Sequence, residues 1–329
     1  MIRETDPDKF IYIVKAIEPS FGAINLEDIE SPKCFYILER LQEILEIPVW
    51  HDDQQGTALV TIAALINALK LTSRKFEHTR FAIIGSGAAN VCTYRYLKVF
   101  GAKPENMIVV DSKGILHRER EDIEELKKTN PWKYQIAMES NPECRKGGIR
   151  EALQGADVVV AASRPGPGVI KKEWIREMNK DPIVFAMANP IPEIWPWEAK
   201  EAGARIVATG RGDFPNQINN SLGFPAVFRG VLTVRARKMT DEMFYAAAEA
   251  IAKYTAETGI HEDRIIGTMN EPELYVQEAI AVAEKAMELG YARRKLSRSE
   301  LEVEIRGLIE RPRKQMKALI ESGLIKPMP

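Results

Sequence analysis

Consecutive carboxylates follow two short apolar runs in the N-terminal part of this sequence. The first run ends in Glu27 and Asp28, and the second ends in Asp52 and Asp53. Carboxylates at the ends of neighbouring strands repel one another strongly unless a cation lies between them. Oxygen ligands of this kind suit Mg²⁺ or Mn²⁺ better than zinc. The pattern therefore predicts a divalent metal site, and the alternative is that these carboxylates only cap the helices that follow.

A glycine-containing loop lies between a predicted strand at residues 81–85 and a predicted helix. Gly85 permits a tight turn, and Gly87 lets the backbone approach a pyrophosphate at the N-terminus of the helix. Asn90 stands where the dinucleotide-binding fingerprint has its third glycine, which weakens the match without removing it. Asp111 ends the next predicted strand, at the place expected for a residue that binds the adenosine ribose. The segment is predicted to bind a dinucleotide.

The choice between NAD and NADP depends on the charges at the ribose. Asp111 favours NAD, because its carboxylate would repel a 2′-phosphate. Lys113 nearby and Arg95 in the preceding helix leave NADP open.

The elements around these residues alternate between strands and helices. Such alternation predicts an α/β fold with a Rossmann-like, doubly wound parallel sheet. Residues 115–150 are charged and interrupted by proline, which indicates an excursion between two strand–helix units. The predicted strands are residues 21–26, 47–50, 81–85, 107–111, 157–161, 183–186 and 206–208, and the predicted helices include residues 7–17, 31–46, 56–71, 88–100, 240–258, 271–289 and 299–322.

The order of these predicted elements and motifs divides the chain into three parts. Residues 1–54 form a small segment on the metal and substrate side, and residues 55–230 form the NAD(P)-binding domain. Residues 231–329 form a helical tail that packs back on the first segment.

Composition narrows the functional classes. The chain has 329 residues, of which 45% are hydrophobic and 28% are charged, and its formal net charge is −1. A nucleic-acid or membrane-surface protein would need a basic face, which this balance does not supply. Three scattered cysteines are too few for a disulfide framework, and the N-terminus lacks the apolar segment of a secretory signal. We predict a cytoplasmic protein without nucleic-acid or membrane partners.

Five ordered segments resemble those of prokaryotic malic enzymes. The resemblance implies oxidative decarboxylation of malate to pyruvate with NAD or NADP and with Mg²⁺ or Mn²⁺. The segments are FGAINLEDI at 21–29, IPVWHDDQQGTA at 47–58, AMANP at 186–190, ATGRGDFPNQINN at 208–220 and FPAVFRG at 224–230.

The resemblance also implies roles for individual residues. Glu27, Asp28 and Asp53 match the metal ligands, and Asp52 matches the aspartate that orients a catalytic lysine. Two asparagines match residues that contact the substrate and the nicotinamide side of the cofactor, namely Asn189 and Asn220. The candidate cofactor contacts are Gly85, Ser86, Gly87, Ala88, Ala89, Asn90, Asp111, Ser163 and Asn189.

The chain also departs from the pattern of that family. Malic enzymes have a further N-terminal segment with the tyrosine that protonates the enol and the lysine that acts as base, and no motif here matches either. We therefore expect the chain to begin inside the protein. The tyrosines at helical positions are predicted to serve packing: Tyr12, Tyr36, Tyr94 and Tyr96. Gly212 and Ala226 replace the usual serine and glycine of the family.

Three hypotheses follow from these departures. The chain could be the cofactor and metal subunit of a split malic enzyme whose partner supplies the tyrosine and lysine. It could be a dehydrogenase that does not decarboxylate and acts on another substrate, for example a folate-bound one-carbon unit. It could be a non-catalytic regulatory nucleotide binder. The resemblance further implies a homodimer.

Two neighbours of the candidate site are assigned structural roles. His51 lies beside the acidic residues and is interpreted as a structural histidine rather than a ligand. Asn219 and Asn220 open a predicted helix, so one is expected to cap it while the other faces the cleft.

Overall fold

The computed structural model describes residues 3–326, which form two sheets and a surrounding set of helices. None of the helices in this range combines the length and apolar character needed to span a bilayer. The strands are β1 (Ile24–Leu26), β2 (Val49–His51), β3 (Phe81–Ile84), β4 (Met107–Asp111), β5 (Gly114–Ile115), β6 (Val158–Ala161), β7 (Ile183–Ala186) and β8 (Ile206–Thr209). The helices are α1 (Pro7–Ile17), α2 (Lys33–Ile44), α3 (Thr57–Leu71), α4 (Ala88–Val99), α5 (Ile123–Thr129), α6 (Pro131–Glu139), α7 (Ile149–Leu153), α8 (Lys172–Ile175), α9 (Pro196–Glu201), α10 (Phe224–Thr233), α11 (Asp241–Glu257), α12 (Pro272–Glu288) and α13 (Arg298–Glu321).

The larger sheet has six strands in the order β5-β4-β3-β6-β7-β8. Its strands are parallel, except that the short edge strand β5 runs antiparallel to β4. Every residue of β3, β6, β7 and β8 is buried, as expected for a sheet that helices cover on both faces. The chain order reverses between β3 and β6, and doubly wound sheets bind their ligands at such a point. The predicted fold class is confirmed.

The smaller sheet pairs β1 with β2 in parallel, with Leu26 opposite His51. The residues that follow each strand therefore leave the sheet at the same end, which places Glu27 and Asp28 beside Asp52 and Asp53. Helices α1 and α2 cover this sheet through a separate apolar cluster that includes Val14, Leu26, Leu41 and Val49.

Local sequence signals account for several helix boundaries. Asp6 caps α1, since its Oδ1 accepts from the N–H groups of Asp8 at 2.9 Å and Lys9 at 3.3 Å, with Pro7 at the first helical position. Helix α2 begins at Lys33 rather than at the predicted Ser31, because Pro32 takes the N-cap position. Helix α3 is buried over most of its surface, as its alanine-rich sequence predicts.

The C-terminal helices α11, α12 and α13 agree with the predicted helices to within one residue at each end. Helix α11 packs on α3 and α12, and α12 packs on α10. A contact with the first segment is made by Arg293, whose Nη2 donates to the Glu46 carbonyl at 2.9 Å. The excursion at residues 115–150 contains α5 and α6. The boundaries of the three proposed parts stay a prediction.

A carboxylate lies inside the C-terminal helical layer. Glu278 of α12 is 0% exposed, and neither of its carboxylate oxygens has a hydrogen-bond partner among residues 3–326. Burial raises the pKa of Glu278 well above its usual range. The folded state therefore disfavours the ionised form of this side chain.

We expect Glu278→Gln to stabilise the protein at pH 8 by about 1–3 kcal/mol, because the carboxyl must either take up a proton or carry a buried unpaired charge on folding. The gain should shrink as the pH falls toward 5, since a carboxyl whose pKa is raised on folding costs stability only above its unfolded pKa. Urea unfolding at the two pH values measures both effects. Glu288→Gln on the exposed end of α12 is the matched control, and an equal effect of the two substitutions would contradict the prediction.

Candidate functional site

The loop between β3 and α4 is built for close approach of a ligand to the backbone. Gly85 has a φ of +95°, and an added Cβ would lie 2.4 Å from the Ala162 carbonyl oxygen, so only glycine fits. A Cβ at Gly87 would have no neighbour within 4 Å, which leaves the start of α4 open. Free N–H groups at a helix N-terminus are suited to a pyrophosphate.

Asn90 has a structural function that the sequence did not predict. Its buried side chain donates from Nδ2 to the carbonyls of Ile84 at 2.9 Å and Gly85 at 3.1 Å. The residue that replaces the third glycine therefore ties the first turn of α4 to the end of β3. The departure from the fingerprint is compensated by two hydrogen bonds.

A cavity of about 480 Å³ extends from this loop to the end of β4. Its lining includes the loop residues Gly85, Ser86 and Gly87 and also Asp111 and Lys133. This arrangement brings the predicted pyrophosphate and ribose residues to one space.

The cations proposed for this region have other partners. Arg95 pairs with Asp241 at 3.0 Å, and the Lys113 ammonium pairs with Asp122 at 2.9 Å. Asp111 instead pairs with Arg120 at 3.0 Å and with Lys133 at 3.7 Å, and sequence reasoning missed both.

Asp52 lies at the centre of the acidic group. It is 5% exposed, and it accepts hydrogen bonds from Trp50 Nε1 at 3.2 Å and from Asn220 Nδ2 at 2.6 Å. Burial, followed by the charges of Glu27 and Asp53, raises the pKa of Asp52 to about 6. The alternative that Asp52 caps α3 is wrong, because α3 follows a π-helical turn at Asp52–Gly56 and has no side-chain cap.

Gly56 makes the contact between Asp52 and Asn220 possible. A Cβ added there would lie 2.4 Å from Asp52 Oδ1 and 3.0 Å from the Asn220 Cβ. A larger residue would separate the two polar side chains.

The other carboxylates surround Asp52. The Asp28 N–H donates to Asp53 Oδ2 at 2.9 Å, and Glu27 Oε2 accepts from Asn25 Nδ2 at 3.3 Å. Burial is the main cause that raises the pKa of Asp53, although the Asp28 N–H opposes it. Glu27 and Asp28 also line an open cavity of about 730 Å³ against α1 and α2.

The chemistry of this donor set suits a hard divalent cation. In the part of the chain that the structure describes, however, no three His, Cys, Asp or Glu side chains already surround one point as a metal would require. Binding would require these carboxylates to rotate toward the cation.

Burial agrees with a structural role for His51, Tyr94 and Tyr96, whereas the predicted packing role of Tyr12 and Tyr36 is wrong, because both side chains are exposed. His51 is 0% exposed, and burial lowers its pKa to about 4, so it is neutral at physiological pH. Tyr12 is exposed, and the Tyr36 hydroxyl donates to Asp8 at 2.7 Å. The remaining two tyrosines are buried and bond to acids outside the site: Tyr94 to Glu139 and Tyr96 to Asp241.

Glu193 connects the loops after β6 and β7, and sequence reasoning missed it. Its fully buried carboxylate accepts from the Ser163 N–H at 2.8 Å, the Ser163 hydroxyl at 3.0 Å and the Ala188 N–H at 3.1 Å. An acid within the otherwise apolar, proline-rich segment 190–196 is the signal that could have identified it. Glu193 thus fixes both the predicted cofactor residue Ser163 and the residue that precedes Asn189.

The exposed Asn189 lies against Gly210, where an added Cβ would be 2.8 Å from Asn189 Nδ2. Asn219 caps the short turn that contains Asn220, since its Oδ1 accepts from the Ser221 N–H at 3.0 Å. Asn219 Nδ2 reaches the Gly210 carbonyl at 3.5 Å. These contacts form a continuous path along the carboxyl ends of the strands, from the glycine loop to Asp52.

The fold and this path define a dinucleotide-binding α/β protein with an acidic polar centre beside the cofactor loop. Two family models match the chain: "Malic enzyme, NAD binding domain" over residues 54–287, and "Malic enzyme, N-terminal domain" over residues 3–42. The chain therefore belongs to the malic enzyme family.

Individual relatives agree with this assignment. The chain is similar to an NAD-dependent malic enzyme of Geobacillus stearothermophilus, at 46% identity over 88% of this chain and 58% of the relative. It is also similar to an NADP-dependent malic enzyme of Rhizobium meliloti, at 40% identity over 95% of this chain and 43% of the relative. The chain thus spans about half the length of these relatives.

A solved structure gives the same result. The crystal structure of a malic enzyme from Entamoeba histolytica superposes with a TM-score of 0.95 at 48% identity, covering 99% of this chain and 67% of that one. The likeness includes both sheets and the C-terminal helices.

We expect Glu193→Gln to raise the Kd for the dinucleotide by roughly tenfold, because an amide cannot accept all three hydrogen bonds and bonds to charged groups contribute about 1.5–3 kcal/mol each. Cofactor titration followed by tryptophan fluorescence measures the loss without turnover. Glu198→Gln, which changes the cap of the neighbouring α9, is the control. Equal affinity of the Glu193 variant and the unchanged chain would show that this carboxylate does not position the loops.

Proposed function

We propose that this chain carries the cofactor and metal centre of an enzyme that oxidatively decarboxylates malate to pyruvate, with NAD or NADP and Mg²⁺ or Mn²⁺. The observation that carries the proposal is the convergence of Glu27, Asp28, Asp52 and Asp53 with Asn220, on the same edge as the glycine loop. Membership of the malic enzyme family supports the same chemistry.

The side chains have complementary tasks in this reaction. Glu27, Asp28 and Asp53 would hold the cation, whose charge acidifies the substrate hydroxyl and polarises the carbonyl that replaces it. Asn189 and Asn220 would orient a carboxylate and a carboxamide without adding charge. Asp52, buried and held by Asn220, would orient the amino group of a catalytic lysine.

Gly85, Gly87 and the start of α4 would bind the pyrophosphate of the dinucleotide through backbone N–H groups. Ser163 would position the cofactor from the neighbouring loop, and Ser86, Ala88 and Ala89 would supply further contacts at the start of α4. Asp52 and Ser86, at the two ends of this path, are both buried.

The two alternative functions have less support. A dehydrogenase for a folate-bound one-carbon unit needs no cluster of carboxylates for a metal. A purely regulatory nucleotide binder would have no use for Asp52 and Asn220, whose contact requires glycine at position 56.

Partners and location follow from the same proposal. The open cavity beside Glu27 and Asp28 is a suitable place for a segment that supplies the tyrosine and lysine, either from a separate subunit or from a longer polypeptide. A homodimer and a cytoplasmic location stay predictions. Co-purification from native cells, with mass spectrometry of any protein that carries the lysine motif, tests the separate subunit.

The activity is tested by absorbance at 340 nm with purified chain, Mn²⁺, malate and either NAD or NADP. The proposal expects reduced cofactor and pyruvate in equal amounts, and loss of both when the metal is chelated. If the chain alone is silent, we expect the subunit with the lysine motif to restore turnover. Reduction of the cofactor with a folate-bound one-carbon unit but not with malate would contradict the proposal.

We expect Asp53→Asn to weaken Mn²⁺ binding by roughly 100-fold or more, since even partners behind a metal ligand contribute about 10–100-fold. Isothermal titration calorimetry with Mn²⁺ alone measures the change. Asp213→Asn removes an exposed carboxylate that pairs with Arg211 outside this centre and is the control. Unchanged Mn²⁺ affinity in the Asp53 variant would exclude this residue as a ligand.

A further inference from the structure

A second cavity, of about 130 Å³, lies at the edge of the large sheet where the parallel strands begin. Its lining includes Arg80, Glu105 and Ala156, which precede β3, β4 and β6, whereas the glycine loop follows β3. Parallel strands begin at one edge of a sheet and end at the other. Among residues 3–326, this cavity shares no lining residue with the cofactor cavity, so it is a separate place on the molecule.

The inner part of this cavity is apolar. Phe81, Ala152 and Ala156 line it and are buried, and Ile108 is half-buried. A ligand that fills the cavity therefore gains by placing an apolar group against these side chains.

The wall of the cavity carries charges of both signs. The charged lining residues are two arginines and two glutamates: Arg80, Arg145, Glu105 and Glu143. Within residues 3–326 none of the four belongs to an ion pair, although the nearby Arg150 and Glu177 pair at 2.8 Å. Unpaired charges of both signs around one space are complementary to a ligand that itself carries both signs.

Arg145 is held in one position with part of its guanidinium free. Its Nη1 donates to the carbonyls of Glu151 and Gln154, both at 3.1 Å. The buried Asn141 side chain accepts from the Arg145 N–H and donates to the Arg145 carbonyl, both at 2.9 Å. In the described part of the chain, Nε and Nη2 of Arg145 have no hydrogen-bond partner. This pair of donors has the spacing that a carboxylate needs for a two-point contact.

We propose that this cavity binds a small α-amino acid with an apolar side chain. The carboxylate would meet Nε and Nη2 of Arg145, and Glu105 and Glu143 would attract the ammonium group. The side chain would lie against Phe81 and Ala156. The site does not depend on the function proposed above, since it uses neither the cofactor loop nor the acidic centre.

A bound amino acid would connect two parts of the fold. Glu143 and Arg145 belong to the excursion at residues 115–150, whereas Phe81 begins the central strand β3. The ligand would therefore hold the excursion against the sheet, and it should raise the melting temperature of the chain.

The test uses isothermal titration calorimetry with L-valine and the purified chain, without cofactor or metal. We expect a Kd of about 1 mM, which is ordinary for a ligand of this size. Isovalerate lacks the ammonium group of valine and isobutylamine lacks its carboxylate, so each should bind at least about tenfold more weakly. Absence of saturable valine binding would overturn the site, and equal affinity for valine and isovalerate would overturn the amino acid as its ligand.

Substitutions separate recognition from a merely structural effect. Arg145→Lys keeps the charge but loses the two-point contact, so it should weaken valine binding by about tenfold while changing isobutylamine binding by less than about twofold. Arg150→Lys, outside the cavity, is the matched control. Equal losses of valine affinity in the two variants would contradict the role of Arg145.

A second variant keeps the proposal testable if Arg145→Lys does not fold, as its melting temperature would show. The double substitution Glu105→Gln and Glu143→Gln removes the attraction for the ammonium group. Valine should then bind no more tightly than isovalerate. An undiminished preference for valine in this variant would show that these glutamates do not recognise the ligand, and would overturn the proposed site.

Discussion

Mutual repulsion between carboxylates is the constraint around which the candidate site is organised. Parallel pairing of β1 and β2 sends Glu27, Asp28, Asp52 and Asp53 out of the sheet at one end. Burial makes the repulsion worse, as the raised pKa values of Asp52 and Asp53 indicate. The protein moderates it with neutral donors, namely the Trp50 indole, the Asn220 amide and the Asp28 N–H. Neutral donors stabilise the carboxylates without cancelling their charge, so the centre stays negative.

The large sheet supplies the second requirement, which is a fixed distance between this centre and a bound dinucleotide. Parallel strands end on one edge, and the loops after β3, β6, β7 and β8 therefore lie side by side. Glu193 connects two of these loops, and Asn90 fixes a third to its own strand. Buried groups thus hold these loops, and the polar side chains that they carry, in place.

The carboxylates at the Asp111 end of the cofactor cavity are paired with cations, unlike those at the acidic centre. There Asp111 is surrounded by cations, and each of these has an assigned carboxylate. The same residue type therefore lies in two different electrostatic environments, unpaired with cations at the acidic centre and paired with cations at Asp111. The relatives include malic enzymes named NAD-dependent and others named NADP-dependent. Charge pairs of this kind, near the ribose, are where we expect the preference for NAD or NADP to be set.

The sequence by itself determined the elements with local signals: the cap at Asp6, the glycine loop after β3, the alternation of strands and helices, and the three long C-terminal helices. Periodicity and capping act over a few residues, so they can be recognised without knowing the fold. Tertiary structure alone decided which polar groups meet. Asp52 and Asn220 are 168 positions apart, Ser163 meets Glu193 across two strands, and Asp111 takes Arg120 rather than Lys113 or Arg95 as the cation at its side chain. Such pairs depend on how the elements pack, and no spacing along the chain encodes them.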